Sequence, residues 1–189
     1  IFDRADAVLG YSIKDICFQD EQKLGETEYA QPAILTMSIA AFKVLEEQGI
    51  RADMTAGLSL GEYSAYVASG AMDFEEAVAL VQKRGRFMTE AVPSGEGAMY
   101  AIIGLDQDLV EEACEEATAL GKGLAVPANY NAPGQIVIAG KTEAVAEAAR
   151  LAKEKGAKLA VKLKVSGPFH TSLLQPASDR LKPELEKMH

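Results

Sequence analysis

Residues 56–65 read AGLSLGEYSA, and this stretch decides the fold. Gly57-Leu58-Ser59-Leu60-Gly61 is a G-x-S-x-G string. It stands between a run that reads as a strand, Ala52 to Leu58, and one that reads as a helix, Leu60 to Ser69, ending at Gly70. A sharp strand-to-helix turn would hold the serine in a strained conformation, and glycines flank it because side chains there would collide. The Ser59 hydroxyl then projects at the C-terminal edge of a sheet, beside the unpaired N–H groups that open a helix. Ser59 is the candidate nucleophile, and the Leu60 N–H a candidate donor to a developing oxyanion. The rival reading is an ordinary Gly-Ser loop.

A serine nucleophile needs a base, and the chain has two histidines. His189 is the last residue. His170 closes Val165-Ser166-Gly167-Pro168-Phe169-His170, after a run that reads as a strand and before a helix. Catalytic groups collect on loops at strand ends, and a histidine following its serine keeps the chain order of α/β-hydrolases. His170 is therefore the candidate base; no acid is singled out to orient it.

A helix opening at Asp73 and running to about Ala91 carries the apolar stripe Phe74, Ala77, Val78, Val81, Gly85 and Met88. At about 100° per residue, Arg84 falls roughly 70° from the centre of that stripe, whereas Lys83 and Arg86 lie far round. Arg84 can reach along the core face, either as a snorkelling border residue or as a bidentate clamp on a carboxylate. The second role implies a substrate whose negative charge is remote from its reacting carbonyl.

The surrounding pattern is α/β. Residues 31–48 read as a helix, with Pro32 suited to its first position and Gly49 just beyond its end. Between 96 and 165 the order is strand 99–105, helix 106–120, strands 124–130 and 135–140 split by Asn131-Ala132-Pro133-Gly134, helix 141–156, strand 157–165. That β-α-β-β-α-β order is ferredoxin-like. The expected fold is a hydrolase-like parallel-sheet core, residues 1–95 and 166–189, with a ferredoxin-like insert at 96–165.

Composition narrows the function. The 189 residues carry a net charge of −9, with 48% hydrophobic and 25% charged residues and two cysteines. This suits a folded domain rather than disorder, argues against bulk nucleic-acid binding and provides no disulfide scaffold. No apolar run reaches the roughly 20 residues of a membrane span, so the expectation is a cytoplasmic protein, compatible with a monomer. The charge is uneven: residues 151–189 hold eight Lys/Arg against four Asp/Glu, which leaves −13 on residues 1–150. Lys153, Lys155, Lys158, Lys162 and Lys164 read as a solvated face or as a landing surface for an anionic partner.

The stretches AGLSLGEYSA (56–65), VQKRGRFMTEAV (81–92), NYNAPGQIVIAG (129–140) and GPFHTSLL (167–174), with QPAI (31–34), resemble the malonyl-CoA:acyl-carrier-protein transacylases of fatty-acid and polyketide synthesis. They run in family order over nearly the whole chain. The resemblance implies a ping-pong transfer in which Ser59 takes malonyl from coenzyme A as an ester and His170 serves as general base, then acid. Arg84 would hold the malonyl carboxylate, Asn131 would lie near the site, and Phe169 would limit α-substituents. An acyl-carrier-protein thiol would collect the group, with malonyl-CoA as substrate and no cofactor or metal. Many family members have histidine where this chain has Leu58, a known variant. The resemblance also places a glycine-glutamine motif before Ile1, a glutamine after His189 and a first core strand outside the chain. The alternatives are a serine esterase or thioesterase with the same turn, or a truncated, non-catalytic fragment.

Overall fold

The computed structural model describes residues 1–93, 95–165 and 167–188, and the chain divides into two compact units. The first comprises Ile1–Phe87 and Asp179–His189, the second Met88–Ser178. These divisions fall within the helices Phe74–Ala91 and Gln175–Leu185, whereas the sequence reading puts them in the loops at 95/96 and 165/166.

Helices make the first unit. It opens with three short ones, α1 (Phe2–Leu9), α2 (Ile13–Gln19) and α3 (Glu21–Leu24), that apolar periodicity does not announce. Local side-chain caps fix α2 and α3. The Ser12 hydroxyl accepts from the Asp15 N–H at 3.1 Å, the Asp20 carboxylate from the Lys23 N–H at 2.9 Å, and the Asp6 carboxylate from the Ile13 N–H at 2.7 Å.

α4 (Thr27–Glu47) begins upstream of the expected start, so Pro32 lies inside the helix rather than at its first position. Thr27 to Ala30 contain no helix breaker, and a proline this near the start costs one helical hydrogen bond. The C-terminal end falls where expected: the Gly49 N–H donates to Glu46 and the Ile50 N–H to Leu45, at 2.9 and 3.0 Å.

α5 (Leu60–Ser69) and α6 (Phe74–Ala91) complete the helices near Ser59. Ala77, Val78 and Val81 of α6 are fully buried in one cluster with Ile13, Leu35 and Ile39. The parallel-sheet core is not formed by the described residues: 51–58 have no regular secondary structure and pair with no strand. A strand exists through its bonds to a neighbour, and here Met54 is 91% and Leu58 69% exposed.

The second unit has the anticipated order: β1 (Gly97–Ile103), α7 (Gln107–Ala119), β2 (Ala125–Ala132), β3 (Gln135–Lys141), α8 (Thr142–Glu154) and β4 (Leu159–Lys162). The strands lie in the order β2-β3-β1-β4 and each neighbouring pair is antiparallel. Alternation along the strands sorts the side chains. Ile102, Ile136 and Ile138 pack with Val110, Val145 and Ala148 of α7 and α8, whereas Met99, Val137 and Ala139 form a cluster on the other face. α9 (Gln175–Leu185) follows a single 3₁₀ turn at Ser172–Leu174.

Candidate active site

Ser59 sits at the N-cap of α5 with φ 55° and ψ −106°, a left-handed φ that costs a non-glycine residue about 1–3 kcal/mol. The turn is closed by its neighbours: the Gly61 N–H donates to the Leu58 carbonyl at 2.9 Å and the Glu62 N–H to the Ser59 carbonyl at 3.2 Å. Leu60 has the first N–H of the helix, one of the group with no intrahelical acceptor. The two glycines have different standing. A Cβ at Gly57 would lie 1.9 Å from the Gly61 carbonyl carbon, whereas one at Gly61 would meet nothing within 4 Å. The steric requirement expected of both therefore holds for Gly57 alone.

Arg84 comes to this turn from the middle of α6. Its Nη2 donates to Ser59 Oγ at 2.9 Å and its Nη1 to Gln31 Oε1 at 2.7 Å. Its guanidinium carbon lies 5.5 Å from the centre of the Tyr63 ring. Among the described residues no carboxylate lies within ion-pairing distance of Arg84. Burial pulls the guanidinium below its ordinary value, opposed by nearby Tyr63 and Glu62, and the group remains charged at neutral pH. Burial also pushes the Tyr63 phenol up, against the pull of the Arg84 charge. A half-buried cation without a counter-ion is an electrostatic vacancy for an anion.

Gln31 is the residue that sequence reasoning missed. It is 5% exposed on α4, and its partner Arg84 is distant in sequence. The available signal was a glutamine four and eight residues before the buried Leu35 and Ile39, on the apolar side of a helix.

His170 belongs to the second unit, where its loop is held at several points. Phe169 packs on the Met99, Val137 and Ala139 cluster, Pro168 lies on Gly97, and the Thr171 hydroxyl donates to the Pro168 carbonyl at 2.9 Å. His170 is exposed with φ 60°. Among the described residues Ser59 and His170 are the only non-glycine residues with a left-handed φ. Such strain persists where the surroundings over-determine it, and it concentrates at functional sites. Asn131 is exposed in β2, at a register shift between Tyr130 and Ala132. Ser166 and His189 lie outside the described residues.

The lysines of residues 153–164 do not act as one group. Lys155 pairs with Glu112 and Glu116 at 3.0 and 2.9 Å, and Lys153 donates to the carbonyls of Ala157 and Lys158. Lys158, Lys162 and Lys164 are exposed at or near β4. Among the described residues no group of three His, Cys, Asp or Glu side chains is placed to hold a metal, and no helix is long and apolar enough to cross a membrane. The two cysteines are free thiols, with Cys114 buried and its thiol pushed up to about 12, chiefly by that burial.

This arrangement has close counterparts. Residues 3–189 match the acyl transferase domain family. The chain is 50% identical over 187 residues to the malonyl CoA-acyl carrier protein transacylase of Bacillus subtilis, covering 98% of this chain and 59% of that protein. It is 50% identical over 189 residues to the Escherichia coli K12 protein of the same name, covering 99% and 60%. A solved complex of a type II polyketide synthase acyl-carrier protein with its malonyl-transacylase superimposes with a TM-score of 0.95 at 47% identity, covering all of this chain and 61% of that one. The chain thus spans about 60% of the length of the relatives it matches. With the strained serine, its arginine and a match over nearly every residue, this chain belongs to the acyl transferase domain family.

Proposed function

We propose that this chain carries the nucleophile of a malonyl-CoA:acyl-carrier-protein transacylase. The observation that carries the reading is the Arg84–Ser59 pair: a half-buried cation, with no carboxylate partner among the described residues, stands 2.9 Å from a strained serine hydroxyl. Ser59 Oγ attacks the malonyl thioester carbonyl, His170 takes the hydroxyl proton, and the Leu60 N–H donates to the developing oxyanion. The C–S bond breaks, the coenzyme A sulfur leaves with the proton from His170, and malonyl remains as the Ser59 ester. Arg84 holds the free carboxylate, one methylene beyond the ester carbonyl. The carrier's phosphopantetheine thiol then attacks the ester, losing its proton to His170, which returns one to Ser59. Asn131 takes a substrate-binding role in this reading, and Phe169 restricts the acyl α-carbon.

Selection follows from the same cation. An acetyl group would leave Arg84 buried and unpaired, a cost that malonyl does not meet. An esterase acting on neutral substrates has no use for such a group. The strand order β2-β3-β1-β4 supports a ferredoxin-like insert, and the turn at Ser59 ahead of α5 supports a hydrolase-like core. A cytoplasmic setting suits the two free thiols. Steady-state transfer from malonyl-CoA to holo acyl carrier protein by the intact protein tests the reading. Parallel double-reciprocal lines are expected, and intersecting lines that require both substrates together would reject the ping-pong scheme.

A further inference from the structure

We infer that Gln31 is a specificity-determining positioning residue: its neutral amide fixes the Arg84 guanidinium without neutralising it. This rests on Arg84 being the carboxylate clamp. Three observations converge on it. The Gln31 side chain is 5% exposed and accepts from Arg84 Nη1 at 2.7 Å, which leaves Nη2 directed at Ser59 Oγ. The backbone is shaped for the contact: a Cβ at Gly85, next to Arg84, would lie 2.5 Å from the Thr27 carbonyl oxygen and 2.8 Å from Glu28 Cα. A glycine there lets α6 close onto the first turn of α4, which brings Arg84 and Gln31 within reach of one another.

The third observation is the type of acceptor. A carboxylate in place of the amide would form a bidentate ion pair with the guanidinium and take up the charge and donors a substrate carboxylate requires. The neutral amide oxygen accepts from Nη1 and, carrying no formal charge, leaves the positive charge unspent. The amide thus does two things: it stops the arginine from sampling other rotamers, and it preserves the affinity for an anionic acyl group.

The test uses Gln31→Glu, Gln31→Ala and Arg84→Ala in the intact protein, with initial rates of Ser59 acylation from malonyl-CoA and from acetyl-CoA read by acid quench and mass spectrometry. Gln31→Glu lowers the malonyl-to-acetyl ratio by roughly tenfold or more, the scale set by losing one charge-assisted interaction. Gln31→Ala keeps the charge but loses the positioning, and lowers the ratio by a smaller factor, about threefold. A merely structural role for Gln31 predicts that both substrates slow together, with the ratio unchanged in both variants; that result overturns the inference, as does an unchanged rate with both substrates. Should Gln31→Glu not fold, the ratio in Gln31→Ala decides alone. Arg84→Ala separates the two levels of the argument. If it leaves malonyl loading intact, the clamp itself is wrong; if it reduces malonyl loading while the Gln31 variants keep their ratio, only the role of Gln31 is wrong.

Discussion

Arg84 Nη2 donates to Ser59 Oγ across 2.9 Å, so the cation that would select the substrate touches the atom that would attack it. A charge-assisted hydrogen bond to the hydroxyl oxygen favours its alkoxide character, and acylation removes much of that oxygen's basicity and frees the donor for the acyl group's carboxylate. The fork geometry matters, because one Nη engages Gln31 while the other engages Ser59. Arg84→Lys keeps the charge but offers a single nitrogen. Acylation from malonyl-CoA should fall by roughly tenfold in that variant, measured by rapid quench.

The glycines of the turn separate by steric consequence. Gly57→Ala forces a Cβ to 1.9 Å from the Gly61 backbone, and the chain must shift to admit it. Destabilisation of about 1–3 kcal/mol is expected, with loss of Ser59 acylation because the turn itself is displaced. Gly61→Ala adds a methyl where nothing lies within 4 Å and should change stability by less than about 0.5 kcal/mol. Denaturant melts of the two variants compare the positions directly.

Ser59 stores backbone strain. Glycine adopts φ 55°, ψ −106° at little cost, so Ser59→Gly should be about 1 kcal/mol more stable than Ser59→Ala, which loses the same hydrogen bond to Arg84, and neither variant should be acylated. Thermal melts at neutral pH read the first effect, and adduct formation the second.

Much of this was legible because it is local. The string around Ser59, the ends of α4 and α5 at Gly49 and Gly70, and the alternation of β1 and β3 are each contained within a few residues. Gln31 was not, because its meaning depends on Arg84 of another helix, and a polar residue in an apolar stripe reads as a border position until its partner is seen. Residues 52–58 read as a strand from their sequence, yet strand character requires a neighbour that the described residues do not supply. The left-handed backbone at His170, φ 60°, was equally hidden, since a single residue's φ leaves no periodic pattern in the sequence.

The first unit has a built-in acid sensitivity. Glu184 accepts from Lys187 and Lys83, and these hydrogen bonds lower its carboxyl from 4.5 to about 2. A depressed carboxyl contributes stability that is present above its unfolded value and is lost as pH falls through its folded value. The stability difference between the native chain and Glu184→Gln should therefore be constant above about pH 5 and vanish as the pH approaches 2. Urea melts across that range check it.

Docking of the proposed carrier should depend on the exposed lysines that make no ion pair among the described residues. Lys155 is held by Glu112 and Glu116, so its reversal mainly disturbs α7 and α8; Lys162 and Lys164 are exposed. Lys162→Glu with Lys164→Glu should slow transfer to acyl carrier protein several-fold at low salt, less at high salt, and leave Ser59 loading from malonyl-CoA nearly unchanged. Equal loss in both half-reactions would count against this face.

The most direct measurement is to mix the intact protein with malonyl-CoA, quench in acid within milliseconds to seconds, and map the adduct by peptide mass. A single malonyl group on Ser59, absent in Ser59→Ala and reduced roughly 10- to 100-fold in Arg84→Ala, is the predicted result. A malonyl adduct on another residue, or unreduced loading of Ser59 in Arg84→Ala, would contradict the account.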